Sequence, residues 1–280
     1  MKTVAIQGVK GAYHEIAARK YFEENFKEEI EIFPCKQFKD VVSAVKRDPN
    51  LIGAMAIENT IAGSLLQNYE FIRESDLVVV GEQKLHITHS LAALPEDTIE
   101  TITEVSSHPI ALMQCSEFLN AFPRIKIVEG EDTALSAQNV AENHLLGHAA
   151  ICSRYAAELY GLKILEEGVE TNKRNFTRFL LLANRWLAEE LVKESECDKT
   201  SVVFTLPHTE GSLSKILTIL SFYDINLTKI QSLPILGREW EYLFYVDLTF
   251  KSLLKYKQGL DAIRPLTKEF KVLGEYKEKN

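Results

Sequence analysis

The run Thr3-Val4-Ala5-Ile6-Gln7-Gly8-Val9-Lys10-Gly11 decides the class of fold. A short β-favouring run, Thr3 to Gln7, breaks at a glycine turn, and a helical apolar pattern follows over residues 14–21, so the segment reads strand, turn, helix. Working outward, short strand patterns recur at 31–34, 52–57, 77–88, 102–105, 125–128, 149–153 and 176–182. Helical patterns at 38–47, 110–121, 134–143 and 154–160 separate many of them. Strand alternating with helix over this length predicts α/β layers on a largely parallel sheet.

Past Trp186 the composition changes. Ala188-Glu189-Glu190-Leu191-Val192-Lys193-Glu194-Ser195-Glu196 is charged, has no strong apolar face, and reads as part of a linker over 187–198. The second order then runs strand 200–206, helix 213–222, strands 226–233 and 242–249, helix 253–267, strand 270–276. This is the split βαββαβ of an α+β ferredoxin-like sandwich, placed at 199–280. It is small for a free-standing core, and pairing with a second copy would help it.

The 280 residues are 46% hydrophobic and 26% charged, an ordinary globular balance with length for two cores. A net charge of -8 and a pI near 5.5 argue against nucleic acid or an anionic membrane as main partner. A small anion in a locally positive pocket stays open. The first eight residues lack the apolar core of a secretion signal and no stretch is long and apolar enough to span a bilayer, so a cytoplasmic location is expected. Cys35, Cys115, Cys152 and Cys197 form no Cys-x-x-Cys pair, which points to reduced, mostly buried thiols.

Four segments place small or hydroxyl residues between a strand end and a helix start: 8–14, 58–64, 106–112 and 131–134. Helix N-termini expose N–H groups and partial positive charge, so converging turns of this kind bind carboxylates. Taken singly, each is explained as an N-cap or a turn, and Pro109 suits a first helical turn. Asn175-Phe176-Thr177-Arg178-Phe179-Leu180-Leu181-Leu182 is more informative, with a hydroxyl and a guanidinium side by side in an apolar strand. Alternation puts Thr177 with Phe179 on one face and Arg178 with Phe176 on the other. A buried Arg178 needs an anion, either a protein carboxylate or a ligand. No metal site is expected: His86 and His89 fall on opposite faces of the expected strand, and Gly147 ends the helix of His144 before His148. Neither a Gly-x-Ser-x-Gly elbow nor a Gly-Lys-Ser/Thr phosphate loop occurs. The residues by themselves describe a cofactor-free anion-binding α/β protein with an attached sensor.

In chain order these motifs resemble the bacterial prephenate dehydratases along almost the whole length. Gly8 to Tyr13 looks like the family's first glycine turn, and Ile57-Glu58-Asn59-Thr60-Ile61-Ala62-Gly63 like its Glu-Asn-Ser/Thr-x-x-Gly motif. Ser107-His108-Pro109-Ile110-Ala111-Leu112-Met113-Gln114-Cys115 looks like its Ser-His-Pro segment, and Thr177-Arg178-Phe179 like its Thr-Arg-Phe motif.

The resemblance implies a catalytic domain over 1–186 shaped as two lobes like a type II periplasmic binding protein. Lobe one would cover about 1–82 and 170–186, lobe two about 83–169, with crossings near 81–84 and 167–171. It implies loss of water and CO2 from prephenate to give phenylpyruvate, without cofactor or metal. Thr177 would donate to the leaving hydroxyl, with Asn59, Ser107 and Gln114 orienting the ring and its polar groups. Glu58, Thr60, Gly63, Arg178, Phe179, Gly11 and Tyr13 are the further substrate-binding candidates. The C-terminal part resembles an ACT domain, where phenylalanine binds between two copies and inhibits. Gly211, Ser212 and Leu213 at a helix start, with Asn226, Leu227 and Thr228, are its effector candidates, and a homodimer or homotetramer follows. Two departures stand out. Gly11-Ala12-Tyr13-His14 lacks two hydroxyls usual in the first turn, and Gln231-Ser232-Leu233-Pro234 replaces a Glu-Ser-Arg-Pro. An arogenate dehydratase and a non-catalytic binding relative are the alternatives.

Overall fold

The computed structural model describes residues 1–235, 237–238 and 241–279; positions 236, 239, 240 and 280 of the expected C-terminal domain lie outside the described residues. The first run is β1 (Lys2–Gln7), α1 (Tyr13–Phe26), β2 (Ile30–Cys35), α2 (Phe38–Arg47), β3 (Leu51–Asn59), β4 (Gly63–Ser64), α3 (Leu66–Glu74) and β5 (Val78–His86). Next come β6 (Ser90–Ala93), β7 (Glu104–Ser107), α4 (Pro109–Gln114), α5 (Ser116–Asn120), β8 (Lys126–Glu129), α6 (Thr133–Glu142), β9 (His148–Cys152), α7 (Arg154–Leu159) and β10 (Lys163–Glu167). The chain continues through β11 (Phe176–Ala183) and α8 (Arg185–Leu191) into β12 (Lys199–Thr205), α9 (Ser212–Phe222), β13 (Asn226–Pro234), β14 (Tyr242–Thr249), α10 (Leu253–Ile263) and β15 (Glu269–Tyr276).

The strands form three sheets. The first has the order β2-β1-β3-β11-β5, with β4 hairpinned onto β3; the second is β10-β6-β9-β7-β8; the third is β13-β14-β12-β15. In the first, β1 and β2 are parallel, and β3 is an unbroken buried run from Leu51 to Ile57, as befits a strand covered on both faces. The second sheet is mixed and not largely parallel: β6 is antiparallel to β9 and β10, while β7 runs parallel to β8 and β9. Its strand β6, Ser90-Leu91-Ala92-Ala93, is invisible to residue preference because small residues favour strands weakly, yet it is wholly buried. The first sheet is left after His86 and rejoined at Phe176. The connections between the first and second sheets therefore fall at 87–89 and 168–175.

The third sheet is antiparallel in every pairing and carries two helices in the βαββαβ order read from the sequence. Its core joins Val202, Phe204, Val246 and Leu248 from the strands to Ile216, Leu220, Tyr256 and Leu260 from the helices. The expected linker contains structure. Asn184 accepts the Leu187 N–H at 3.1 Å and so caps α8, and Glu194–Glu196 adds a 3-10 turn. A charged helix with only Ala188 buried has no apolar stripe to reveal it.

The chain falls into two compact units, Met1–Val41 with Ala54–Leu65 and Gln83–Phe179, and Val42–Gly53 with Leu66–Glu82 and Leu180–Asn280. The second unit thus joins the βαββαβ segment to α3 and most of β5. Within it, Lys199 and Glu82 are 2.9 Å apart with side chains 4% and 0% exposed. Lys271 Nζ donates to the carbonyls of Arg73 and Ser75 at 2.6 and 2.7 Å. A Cβ on Gly274 would lie 2.0 Å from the Val79 carbonyl oxygen, so only glycine permits this approach of β15 to β5.

Candidate active site

The first unit contains a cavity of about 330 Å³ walled by the β3–β4 hairpin, the first residues of β11, and Lys84 of β5. Asn59 organises the hairpin by accepting the N–H groups of Ile61 and Ala62 at 2.9 and 2.8 Å. Gly63 closes it at φ +83°, a conformation that strains any other residue. Thr60 ties the hairpin to β11: its N–H donates to the Phe176 carbonyl and its Oγ1 accepts the Phe176 N–H, each at 2.9 Å. Asn59 and Thr177 are thereby brought together from distant parts of the chain, with Asn59 Nδ2 2.9 Å from Thr177 Oγ1.

Three charged side chains line the cavity, Glu58, Lys84 and Arg178. Arg178 is 6% exposed and stands 3.6 Å from Glu58, while Lys84 is exposed and has no ion-pair partner among the described residues. The cavity is therefore positive on balance and suits an anion. Lys84 was missed as a site residue because, on sequence, it is one lysine among many at the end of a strand pattern.

Behind Thr177 a buried polar chain runs through the first unit. Asn59 Nδ2 donates to Asn175 Oδ1 at 2.7 Å, and Asn175 Nδ2 donates to Gln114 Oε1 at 2.9 Å. Gln114 Oε1 lies 3.0 Å from His89 Nε2, and His89 Nδ1 lies 2.9 Å from the Tyr13 hydroxyl. Tyr13 also donates to the Thr88 carbonyl at 2.6 Å. Burial lowers the His89 imidazole below its ordinary value against the opposing pull of Gln114 and the Glu170 carboxylate. The Tyr13 phenol is driven well up, chiefly by loss of solvation. Asn175 stands within the quoted motif, but nothing in its neighbours separates it from a turn residue. His89 lies beyond β5, which ends at His86 and not at 88 as its pattern predicts, so strand alternation says nothing of where His89 points.

Other expected site residues lie elsewhere. Phe179 does not join Thr177 at the cavity; it is 1% exposed in an apolar cluster with Ala17, Ala56, Leu85 and Ile87. The cavity sits at a strand end and takes three successive residues, Phe176, Thr177 and Arg178, so strict alternation fails there. Ser107 is fully buried and donates to the Ile151 carbonyl at 2.6 Å. Gly11 is at φ +92°, with its N–H given to Glu15 Oε2 at 2.7 Å, and neither it nor Tyr13 lines the cavity. Gln114 and Tyr13 belong to the polar chain behind the site. In the C-terminal segment Gly211 precedes α9 at φ +76°, Ser212 Oγ meets Thr209 Oγ1 at 2.7 Å, and Leu213 packs against the core. Asn226, Leu227 and Thr228 open β13, with Thr228 Oγ1 donating to the Asp247 carbonyl at 3.3 Å.

In place of the absent hydroxyls of the first turn, His14 Nε2 accepts the Ala56 N–H at 3.3 Å, and burial lowers its imidazole to about 4. The four cysteines are free, three of them buried, and burial pushes the Cys115 and Cys152 thiols up to about 12. Among the described residues no group of three or more His, Cys, Asp or Glu is placed to hold a metal ion, and no helix is long and apolar enough to cross a membrane.

A cavity lined by two cations and one carboxylate beside a neutral hydroxyl, on an α/β sheet, gives the class: an α/β protein with a pocket suited to a small anion. The family description "Prephenate dehydratase" matches residues 4–186. The chain is 33% identical over 279 residues to the bifunctional chorismate mutase/prephenate dehydratase of Escherichia coli, covering 99% of this chain and 71% of the relative. It is 36% identical over 292 residues to the chloroplastic arogenate dehydratase 5 of Arabidopsis thaliana, covering 98% and 67%. The prephenate dehydratase of Arthrobacter aurescens, solved with L-Phe, superposes with a TM-score of 0.85 at 26% identity, covering 99% of this chain and 90% of that one. The chain belongs to the prephenate dehydratase family, dehydratases of phenylalanine and aromatic amino-acid biosynthesis.

Proposed function

We propose that this protein converts prephenate to phenylpyruvate with loss of water and CO2, under control by phenylalanine bound between two C-terminal ACT-type domains. The observation that carries the reading is the placement of Thr177 Oγ1 at the cavity wall with Asn59 Nδ2 already donating to it. A hydroxyl that accepts from Asn59 keeps its own proton for a departing hydroxyl. In the elimination, the ring carboxylate leaves as CO2 and its bonding pair enters the ring. The opposite C–O bond breaks, and the hydroxide takes up a proton to leave as water. Threonine is a very weak acid, so its part is a hydrogen bond that strengthens as charge grows on the leaving oxygen, with bulk water completing the proton balance. Arg178 and Lys84 attract the two carboxylates, and Glu58 holds Arg178 in place.

Arogenate is the competing substrate. It carries an ammonium where prephenate has a carbonyl, so it is less anionic overall, and a cavity with two cations and one ion-paired carboxylate favours the dianion. Comparing kcat/KM for the two substrates tests this, and a preference for arogenate overturns the assignment while leaving the elimination intact.

The effector reading draws on α9. Gly211 precedes this 11-residue helix and Asn226 follows it, so about 16 Å of helix separates them. A single amino acid touching both segments needs them from different copies, which is why we assign at least a dimer. Calorimetry with phenylalanine, alongside sedimentation, tests both points: absence of binding removes the effector, and a monomer that binds it removes the shared site. We assign the strands of 1–86 with 176–183, and those of 90–167, to the two lobes of a periplasmic-binding-type catalytic domain.

A further inference from the structure

We propose that His89 and Asn175 are positioning residues for the reaction: through Gln114 and Asn59 they maintain a hydrogen-bond chain of fixed polarity, converging on the Gln114 oxygen, that leaves the Thr177 proton pointing into the cavity. What the chain orients rests on the dehydratase reading; the direction of the chain does not.

The direction follows from one anchor. A backbone N–H only donates, and those of Ile61 and Ala62 both reach the same side-chain atom of Asn59. That atom must be the oxygen, which turns the amide nitrogen the other way. The nitrogen has two hydrogens and two neighbours, Asn175 at 2.7 Å and Thr177 at 2.9 Å. Asn175 therefore presents its oxygen to Asn59 and its nitrogen to Gln114, which must answer with oxygen. The same Gln114 oxygen faces His89 Nε2 at 3.0 Å, so Nε2 has to carry a proton, and Nδ1 of the neutral ring is then an acceptor that shares the single Tyr13 hydroxyl proton with the Thr88 carbonyl. Each amide orientation is thus set by two main-chain groups at the far end, and the Gln114 oxygen selects the Nε2–H tautomer against the competing pull of the Thr88 carbonyl on the Tyr13 proton.

The chain is protected from water, with Asn175 0%, His89 2% and Gln114 7% exposed. In such surroundings a reversed amide sets donor against donor, and the mismatch is costly because no water relieves it. Were Nε2 bare, Gln114 would have to rotate its nitrogen toward His89. It would then confront the nitrogen of Asn175, drawing that residue off Asn59 and loosening the group that orients Thr177. Glu170, 3% exposed, accepts the main-chain N–H of His89 at 2.8 Å and holds the histidine at the end of the chain.

The test uses the full chain with prephenate and arogenate, comparing wild type, His89→Phe and His89→Gln, with thermal unfolding of each as a control. His89→Phe removes the donor and is expected to lower kcat about 10- to 100-fold while KM moves less than about threefold, as misorientation of a reacting group does. The glutamine amide places an N–H where Nε2–H stood and is expected to restore kcat to within about fivefold of wild type. Equal loss in both variants, or a change confined to KM, overturns the positioning role. Nitrogen NMR of the histidine rings supplies a readout independent of turnover: a protonated Nε2 on His89 supports the chain, and a bare Nε2 overturns it. Wild-type protein inactive on both substrates would sink the dehydratase reading, while the NMR result would still decide the direction of the chain.

Discussion

From Thr177 through Asn59 and Asn175 to Gln114 the linked polar groups are a hydroxyl and neutral amides, whereas between β5 and β12 the buried pair is a lysine and a glutamate, Lys199 and Glu82, with Glu278 3.4 Å from the same lysine. The first arrangement conveys direction. Every member has a donor end and an acceptor end, so a constraint on Asn59 is felt at His89. The second conveys strength without direction: two charges removed from water attract each other from any nearby angle, and each is costly to bury alone. The contrast matches what each region does. On the proposed function the site aims one proton, while the second unit keeps its βαββαβ segment fastened to α3 and β5.

Four perturbations break or sharpen this contrast, in decreasing order of expected effect. Lys199→Met takes the lysine cation away from the buried Glu82, which keeps the Lys279 main-chain N–H, and is expected to destabilise the protein by about 3 kcal/mol in denaturant melts, with Lys199→Met/Glu82→Leu recovering much of it. A double variant no more stable than the single one would show that the charges were not the fastening. Thr177→Ala should leave folding untouched and lower kcat by about 10²- to 10³-fold, with KM little changed, since it deletes a donor felt mainly in the transition state. Equal kcat would remove Thr177 from the mechanism.

His14 offers a third perturbation. Its imidazole is neutral when folded and lowered to about 4, while the unfolded chain protonates near its ordinary value of about 6.5. The unfolded state therefore binds more protons between those values, and stability falls as pH drops from about 6.5 to about 4, by up to about 3 kcal/mol. His14→Phe should flatten that part of the pH–stability curve; an unchanged curve would mean that His14 is not the group responsible. The smallest effect is expected for Lys84→Ala, an exposed cation in the cavity. KM should rise about tenfold at low salt, with kcat near wild type, and the difference should shrink as salt is added. A loss in kcat instead would place Lys84 at the reacting atoms.

Much of the fold was legible in residue order. The helix over 38–47 and the strand over 242–249 have the bounds read from their patterns, because their apolar periodicity and flanking breakers agree. By contrast, β6 and β10 were not legible, and neither was α3. Ser90-Leu91-Ala92-Ala93 has little β-propensity of its own and is a strand because β9 and β10 pair with both its edges. Of the site, Asn59, Thr177, Arg178 and Glu58 were legible as motif residues. Lys84, Asn175 and His89 were not, since their significance lies in what they face.

By itself the sequence determined most of the local elements, the βαββαβ order of its last third and the chemistry available in Thr177-Arg178-Phe179. These depend on neighbours a few residues apart, where periodicity and turn chemistry act directly. Only the tertiary structure decided which atoms of that motif meet the cavity: Phe179 turned into the core, Arg178 set against Glu58, and Thr177 left facing outward with Asn59 donating to it. The reason is physical. A hydrogen bond is settled by a few tenths of an ångström between groups more than a hundred residues apart, and no local pattern carries that distance.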